Sequence, residues 1–211
     1  MAATATGTGT PTAARVDAVP ALPPAPRPVR PRVLLVGTAL AVSAIVMLFA
    51  GLIGTYLATR SDVLASGREW LPDGTIPLTP GTMAFITFGL SVITMHWAVY
   101  AVGNNDRQHA YLALGLTILF GVCVINATSF LYTQMDLGVA SSSAAVLIYV
   151  ITGAHLAMVI AALVYAALMT FRTLGGEYAG RDREGIVAAA LFWYATIAVY
   201  AAIWYAIYVT K

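Results

Sequence analysis

The residue best placed to do chemistry is a histidine inside a long apolar segment. His155 lies in the stretch from Tyr149 to Val159, within an uncharged run from Ala144 to Phe171 that is long enough to cross a bilayer. Ionisable side chains in membrane segments are rare and often functional, because burying them in hydrocarbon is costly. Thr152 and Met158 flank this histidine three residues away, on the same helical face. His155 is therefore the first candidate for a site.

A second histidine, His96, lies in another apolar segment, about 5 Å from His155 in depth if both helices are upright. Two such histidines could ligate a haem, as in a b-type cytochrome, or bind a proton in relay. No carboxylate accompanies them, and metal sites usually need three or four ligands, so no metal site is predicted. The alternative interpretation is that each histidine donates one hydrogen bond to a neighbouring helix.

Other catalytic signatures are missing from the sequence. It contains no glycine-rich phosphate loop, no HExxH motif and no nucleophile elbow. Its single cysteine, Cys123, excludes an internal disulfide and a CxxC site. Catalysis by this chain alone is not expected, although a haem-binding cytochrome using His96 and His155, and a small transporter or structural membrane protein, stay open as alternatives.

The composition indicates the kind of structure in which these residues lie. The chain is 60% hydrophobic and only 9% charged, whereas soluble domains are about 25% charged. Its formal net charge of +2, without a basic patch, gives no reason to expect nucleic acid as a partner. We predict an all-α membrane bundle of five transmembrane helices that lack Asp, Glu, Lys and Arg, at about 33–59, 82–102, 111–131, 144–171 and 185–209.

The regions outside these segments predict the topology. Residues 1–32 are rich in Ala, Thr and Pro and predict a disordered tail ahead of the transmembrane domain at 33–211. The tail and the second and fourth loops together carry eight Lys and Arg residues, against three on the other side. The positive-inside rule then predicts a cytoplasmic N-terminus, an outside C-terminus and a multi-pass protein of the plasma or inner membrane.

Small, polar and aromatic residues predict how the helices pack. Small residues spaced for close contact between helices or subunits are Ala50, Gly51, Gly54, Gly153, Ala157 and Ala161. Polar candidates inside the membrane are His96, Asn126, Ser129, Thr152 and His155. A stripe on the last segment, spaced by seven, four and four residues, predicts packing or anchoring and consists of Trp193, Tyr200, Trp204 and Tyr208.

These elements, taken in order, resemble the five-helix form of cytochrome c oxidase subunit III. The first segment reads Met47 to Leu52 as MLFAGL and is followed by Tyr56, similar to that family's run of Met, Phe and Gly closed by a tyrosine. Thr152, Gly153 and His155 resemble its Thr-Gly-x-His element, and the aromatic last segment resembles its last helix. The resemblance covers nearly everything after Arg32.

The resemblance implies a non-catalytic subunit that binds no haem or copper itself and holds lipid between its helices. It would pack against subunit I, the catalytic subunit of a haem–copper oxidase, and against other oxidase subunits, in aerobic respiratory electron transport. A divergent paralogue with another partner is the other possibility.

The chain departs from the family at its intramembrane acids. Ile45 and a position near Ser129 stand where the family carries glutamates, and Met158 replaces the second histidine of its pair. The family's Trp-His-Phe-Val-Asp element reads WYATI from Trp193. The resemblance therefore implies the packing skeleton, without residues to which a role in proton uptake could be transferred.

Overall fold

The described residues of the chain fold as five long helices. A computed structural model of the protein describes residues 32–72, 74–135, 137–175 and 183–210. The helices are α1 (Val33–Ala65), α2 (Leu78–Gly103), α3 (Arg107–Gln134), α4 (Ser143–Leu174) and α5 (Glu184–Ile203), and α5 continues as a π-helix at Trp204–Val209. No strand occurs in the described residues, so the predicted all-α fold is confirmed. The predicted tail, apart from Arg32, lies outside these residues.

All five helices are long and apolar enough to cross a membrane. Helix α1 has 33 residues, or about 50 Å at 1.5 Å per residue, whereas the hydrocarbon core is about 30 Å thick. Each helix, when α5 is taken together with its π-helical end, contains the apolar run that predicted it and continues past that run at one or both ends. The protein is therefore a multi-pass membrane protein, and the side on which each terminus lies stays a prediction.

Short polar side chains begin helices α3 and α4. The Asp106 carboxylate accepts a hydrogen bond from the His109 backbone N–H at 3.2 Å, and the Ser142 hydroxyl accepts one from the Ala145 N–H at 3.1 Å. Both side chains satisfy N–H groups that the first helical turn leaves unpaired. The His109 backbone N–H, helped by the His109 ring 2.6 Å away, holds the pKa of Asp106 below its usual range.

Helix α1 is capped by a residue from the other end of the chain. It has no side-chain cap of its own, and the Leu35 N–H donates instead to the Glu184 carboxylate at 3.0 Å. Glu184 begins α5, so the first turns of α1 and α5 lie together and the two helices run in the same direction. A carboxylate at this position also interacts favourably with the dipole of α1.

Helix α5 is central and α1 is peripheral. The bundle packs α5 against α1, α2 and α4, and 56% of the most apolar stretch of α5 is buried. The corresponding fraction of α1 is 6%, because α1 packs mainly against α4 and α5. Helices α2 and α3 form a tight hairpin, with Asn105 at a positive φ of 58° in the turn between them. Helix α5 therefore packs against three of the other four helices.

Candidate functional site

His155 lies where four of the helices meet. Its side chain is 4% exposed, and its ring contacts Phe49 of α1, Phe88 of α2 and Tyr200 of α5 at centroid distances of 6.1, 5.9 and 5.2 Å. The Nε2 atom lies 3.0 Å from the backbone carbonyl of Thr196. A carbonyl only accepts hydrogen bonds, so Nε2 carries a proton and donates. The histidine thus ties α4 to α5 inside an aromatic cage.

Thr152 lies one turn before His155 and forms a separate polar contact. Its hydroxyl donates to the Ile148 carbonyl at 2.7 Å and accepts a hydrogen bond from the Tyr132 hydroxyl at 2.9 Å. The Tyr132 ring packs against Tyr149, whose hydroxyl donates to the Leu137 carbonyl at 2.9 Å. These contacts join α3 to α4 and do not include His155, so Thr152 and His155 serve different interfaces.

A second buried polar cluster joins α2, α3 and α5. The indole N–H of Trp193 donates to the Ser91 hydroxyl at 3.0 Å, and that hydroxyl donates to the Phe88 carbonyl at 2.7 Å. One turn along α2, the Thr94 hydroxyl pairs with that of Thr117 at 2.8 Å. Every group in this cluster is neutral and has a partner, which is the arrangement that stabilises a buried polar network.

The predicted aromatic stripe of α5 packs along α2. After Trp193, the Tyr200 hydroxyl donates to the Gly81 carbonyl at 2.9 Å, and the Trp204 indole N–H donates to the Thr82 hydroxyl at 3.3 Å. Tyr208 is 3% exposed and lies over Gly81, where a Cβ would be 3.2 Å from its ring. The stripe therefore forms an interhelical seam, and Tyr208 is buried against α2 instead of facing outward.

His96 lies apart from His155, in an outward-facing groove. The groove has a volume of about 440 Å³ and is lined by Val92, Ile93 and His96 of α2 and by Tyr194 of α5. His96 is exposed and forms no hydrogen bond with any described residue, and the Tyr194 hydroxyl also has no partner among them. The two histidines share no contact, so a haem held between them has no geometric support.

The remaining polar candidates and the small residues lie at the surface of the bundle. Asn126 and Ser129 of α3 are exposed, as is Cys123. The small residues are exposed or, for Gly153, half-buried, and a Cβ at Gly51, Gly54 or Gly153 would meet nothing within 4 Å. The exposed members of this set are Ala50, Gly51, Gly54, Ala157 and Ala161.

Two other glycines allow the close approaches inside the bundle. A Cβ at Gly121 of α3 would lie 2.5 Å from Leu163 and 2.7 Å from the indole of Trp193, and Gly81 is covered by Tyr208. The sequence analysis did not single out these two glycines, although Gly121 continues the four-residue spacing of Ala113 and Thr117. Spacing alone does not show which glycine faces a bulky residue of another helix, and that becomes visible only when the helices are paired.

The interior of the bundle is built for packing and hydrogen bonding. No group of three or more His, Cys, Asp or Glu side chains that could hold a metal ion occurs in the part of the chain that the structure describes. Among the described residues, the buried Ser, Thr and His side chains are seven hydroxyls and one imidazole, and no buried side chain is Asp, Glu, Lys or Arg. Fold and interior together define a multi-pass, all-α membrane protein of five helices with a hydrogen-bonded aromatic core.

Comparison with known proteins identifies the family. The sequence matches the family of cytochrome c oxidase subunit III over residues 28–211, and the chain belongs to that family. It is 28% identical over 168 residues to a cytochrome c oxidase subunit 3 from Synechocystis sp., covering 78% of this chain and 70% of the relative. The subunit 3 of Gallus gallus is 27% identical over 131 residues, which cover 61% of this chain and 50% of the relative.

A third relative shows the same pattern of low identity over a long match. The cytochrome c oxidase subunit 3 of Pelomedusa subrufa is 24% identical over 176 residues, covering 82% of this chain and 67% of the relative. The matches thus span between 50% and 70% of the length of these relatives. The family resemblance predicted from the order of the sequence elements is confirmed.

Proposed function

We propose that the protein is the non-catalytic subunit III of a haem–copper terminal oxidase in aerobic respiratory electron transport. In this role it supports the assembly and stability of the catalytic subunit and binds membrane lipid, while haem and copper reside in partner subunits. The family match over residues 28–211 carries the proposal. The neutral, hydrogen-bonded interior supports a structural rather than a catalytic role.

The outward-facing small residues supply a surface for the catalytic subunit. Ala50, Gly51 and Gly54 lie on the exposed side of α1, the helix least buried by the rest of the bundle. Small residues let helix backbones approach closely in lipid, where van der Waals packing drives association. We assign this small-residue surface, defined by these three residues, to the contact with subunit I, with Gly153, Ala157 and Ala161 of the adjoining α4 as its extension.

The interior also bears on proton uptake. Ile45 packs against the core cluster that contains Phe49 and Tyr56, and Ser129, near the position of the family's second glutamate, is exposed. Both residues are neutral, so neither provides an acid. The proposed function therefore includes no proton-conducting step through this chain. We further propose that the N-terminus is cytoplasmic and that the membrane is the plasma or inner membrane, as the Lys and Arg distribution predicts.

Affinity purification from native membranes tests the proposal. A tagged copy of the chain should co-purify with a haem-containing oxidase complex in mild detergent, and deletion of the chain should lower the amount and thermal stability of that complex. The proposal is wrong if the oxidase stays intact and equally stable without the chain while the tagged chain migrates alone. Untagged membranes serve as the control.

Spectroscopy of the isolated chain tests the cofactor assignment separately. The purified chain should show no Soret band, because His155 donates to a carbonyl inside an aromatic cage and His96 lies elsewhere. A Soret band that disappears in His155→Ala would instead identify the chain as a cytochrome in its own right.

A further inference from the structure

Helix α3 presents a regular row of residues to the outside of the bundle. Its members recur at alternating intervals of three and four residues, and all of them are exposed. Between the first and the last member, only Cys123 and Phe130 are also exposed, and each directly follows a member of the row. This row, the outer face of α3, consists of Leu112, Gly115, Leu119, Val122, Asn126, Ser129 and Thr133.

The spacing of the outer face matches the a and d positions of a coiled coil, at which one helix packs against another. A face toward lipid in a left-handed bundle would have the same spacing, so the spacing alone does not distinguish lipid from protein. The polar residues do distinguish them, because hydrocarbon offers no hydrogen bonds to a polar side chain.

Two polar side chains on the outer face have no partner within the bundle. Helix α3 is about 42 Å long, and Asn126 lies about 12 Å from its end, which places this residue about 6 Å inside the hydrocarbon when the helix is centred. Neither its amide nor the Ser129 hydroxyl forms a hydrogen bond with another described residue. By contrast, the nearby Thr128 hydroxyl donates to the Val124 carbonyl at 2.9 Å. Asn126 therefore indicates a polar group that meets α3 from outside this chain.

The amide of Asn126 is complementary in charge to a second copy of itself. Its oxygen accepts hydrogen bonds and its NH₂ group donates them, whereas a lipid ester only accepts and would leave the amide oxygen unpaired. Two copies inserted in the same direction, and related by a two-fold axis along the bilayer normal, bring this residue to the same depth. Each amide can then donate to the other, and no second kind of subunit is needed to match the depth.

The rest of the outer face fits the same arrangement. From Leu112 to Thr133 the helix carries no Asp, Glu, Lys or Arg, so two copies meet without like-charge repulsion. A Cβ at Gly115 would meet nothing within 4 Å, and the missing side chain lets a second helix approach closely. The outer face belongs to α3, whereas the small-residue surface assigned to subunit I belongs to α1, so the two contacts use different helices.

We propose that two copies of this chain pack together through the outer face of α3, with Asn126 of one copy hydrogen-bonded to Asn126 of the second copy. This contact goes beyond the proposed function, since in an oxidase it joins two complexes through their copies of subunit III. It requires no other subunit, so it can be measured on this chain alone.

Cysteine cross-linking of the full chain in lipid vesicles tests the proposal. Cys123→Ser removes the only cysteine, and Leu119→Cys then places one thiol on the outer face. Mild oxidation should give a disulfide-linked dimer, because residues at an a position face their counterparts across the two-fold axis and a disulfide needs Cα atoms within about 7 Å. The matched control is Leu90→Cys in the same background, at the middle of α2 and 47% exposed, which should stay monomeric.

Substitutions in the Leu119→Cys chain test the role of the amide. Asn126→Leu removes the hydrogen bonds and keeps a similar volume, so the dissociation constant of the dimer should rise about threefold for each bond lost, the typical effect of one such bond in a membrane. The constant is obtained from the linked fraction after brief oxidation at a series of protein-to-lipid ratios. Gly115→Leu is the second variant and should also weaken the dimer, because its side chain holds the helices apart. Thr128→Val is the matched control and should change nothing, since that hydroxyl is already paired within its own helix.

Three results would overturn the proposal. The first is no more linked dimer in Leu119→Cys than in Leu90→Cys, and the second is an unchanged dissociation constant in both Asn126→Leu and Gly115→Leu. The third is a photoreactive side chain in place of Val122 that attaches, in native membranes, to another polypeptide or to lipid instead of to a second copy of the chain. Co-purification with an oxidase is measured separately, so self-association and the subunit assignment can fail independently.

Discussion

His155 shows how an ionisable residue can join the helices of a membrane bundle. Its imidazole donates to the Thr196 carbonyl, and aromatic rings from α1, α2 and α5 surround it. The side chain therefore contributes one hydrogen bond and a large packing volume at the junction of four helices. These two contributions can be separated by substitution.

We expect His155→Leu to be tolerated and His155→Ala to be damaging. Leucine keeps most of the volume and removes one interhelical hydrogen bond, which costs about 0.6 kcal/mol on average in membranes. Alanine also leaves a cavity, and large-to-small changes in cores cost about 2–5 kcal/mol. Thermal unfolding of the purified chain in detergent should place the two variants in that order.

Oxidase turnover distinguishes packing from chemistry at the same residue. The assembled complex that contains His155→Leu should retain near wild-type activity, because the substitution preserves the packing and removes only the titratable ring. Loss of turnover in a His155→Leu complex that is fully assembled would show that the imidazole itself takes part in function.

The sequence could suggest that His155 forms a hydrogen bond to another helix, but it could not identify the group that accepts this bond. Burial in an apolar segment was enough to expect one hydrogen bond to another helix. The acceptor is a backbone carbonyl at Thr196, and any helix presents such carbonyls, so nothing in the residue types distinguishes it. For His96 the same expectation was wrong, because this side chain is exposed and forms no hydrogen bond with a described residue. Which face of α2 points outward depends on how the helix is rotated in the bundle, and the residue types do not reveal that rotation.

At the scale of the helices, substitutions at two glycines distinguish a position of close helix contact from an open position. We expect Gly121→Ala to destabilise the chain by about 1–3 kcal/mol, because its Cβ would collide with Leu163 and with a fully buried Trp193 held by Ser91. Gly153→Ala is the matched control, since its Cβ meets nothing within 4 Å. It should be neutral or stabilising by up to about 1 kcal/mol, as expected for Gly-to-Ala in a helix. The same loss in both variants would contradict the packing seen here.

The cap of α3 should make stability depend on pH in the acid range. The pKa of Asp106 is held down in the folded chain, chiefly by the His109 backbone N–H, so its carboxylate is preferred when folded. This stabilisation is complete above the unfolded pKa of about 4 and is lost as the pH falls through the lower folded pKa. Wild-type melting temperature should fall below pH about 4 relative to Asp106→Asn, and a constant difference down to pH 2 would contradict this.

The serine cap of α4 provides the uncharged comparison. Ser142→Ala removes the acceptor of the Ala145 N–H and should cost about 1 kcal/mol at every pH, because a hydroxyl does not titrate in this range. Thermal melts of both cap variants across pH 2 to 7 would check it. If the loss of stability in Ser142→Ala varied with pH, titratable groups other than Asp106 would be contributing to the pH dependence.

Which segments are helices could be predicted from apolar length alone, but the ends of the helices could not. The helices continue into polar residues such as Ser61, Asp62 and Gln108, because backbone hydrogen bonding does not stop at the hydrocarbon boundary. The cap of α1 was also unpredictable, since Glu184 lies far along the chain from Leu35 and meets it only in the folded bundle. The π-helical end of α5 has no sequence signal that we can identify.

At the scale of the whole molecule, helix order and the position of the aromatic stripe were enough to suggest the family, and the family is confirmed. The direction in which small residues face was not predictable, because spacing by four residues is the same toward lipid, a partner or a neighbouring helix. In this chain, the seam between α2 and α5 uses aromatic and hydroxyl groups, and the predicted small residues lie outside it. The small-residue surface is therefore exposed in the described bundle, as the proposed contact with another subunit requires.

That surface leads to the prediction that concerns the assembled oxidase. We expect Gly51→Leu and Gly54→Leu to leave the fold of the isolated chain intact, since a Cβ at either position meets nothing within 4 Å. In the complex, a leucine would hold the facing helix away, so co-purification of the catalytic subunit should fall by about fivefold or more if only about 1 kcal/mol of packing is lost.

Gly115→Leu is the control for this experiment, because Gly115 of α3 is equally exposed and equally open but lies outside the small-residue surface. It should leave co-purification unchanged while adding the same bulk to a membrane-facing helix. A loss of the catalytic subunit in all three variants would mean that added bulk disturbs membrane insertion in general. Retention in all three would remove α1 as the contact, and the adjoining residues Gly153 and Ala157 of α4 would then be the positions at which the interface must be sought.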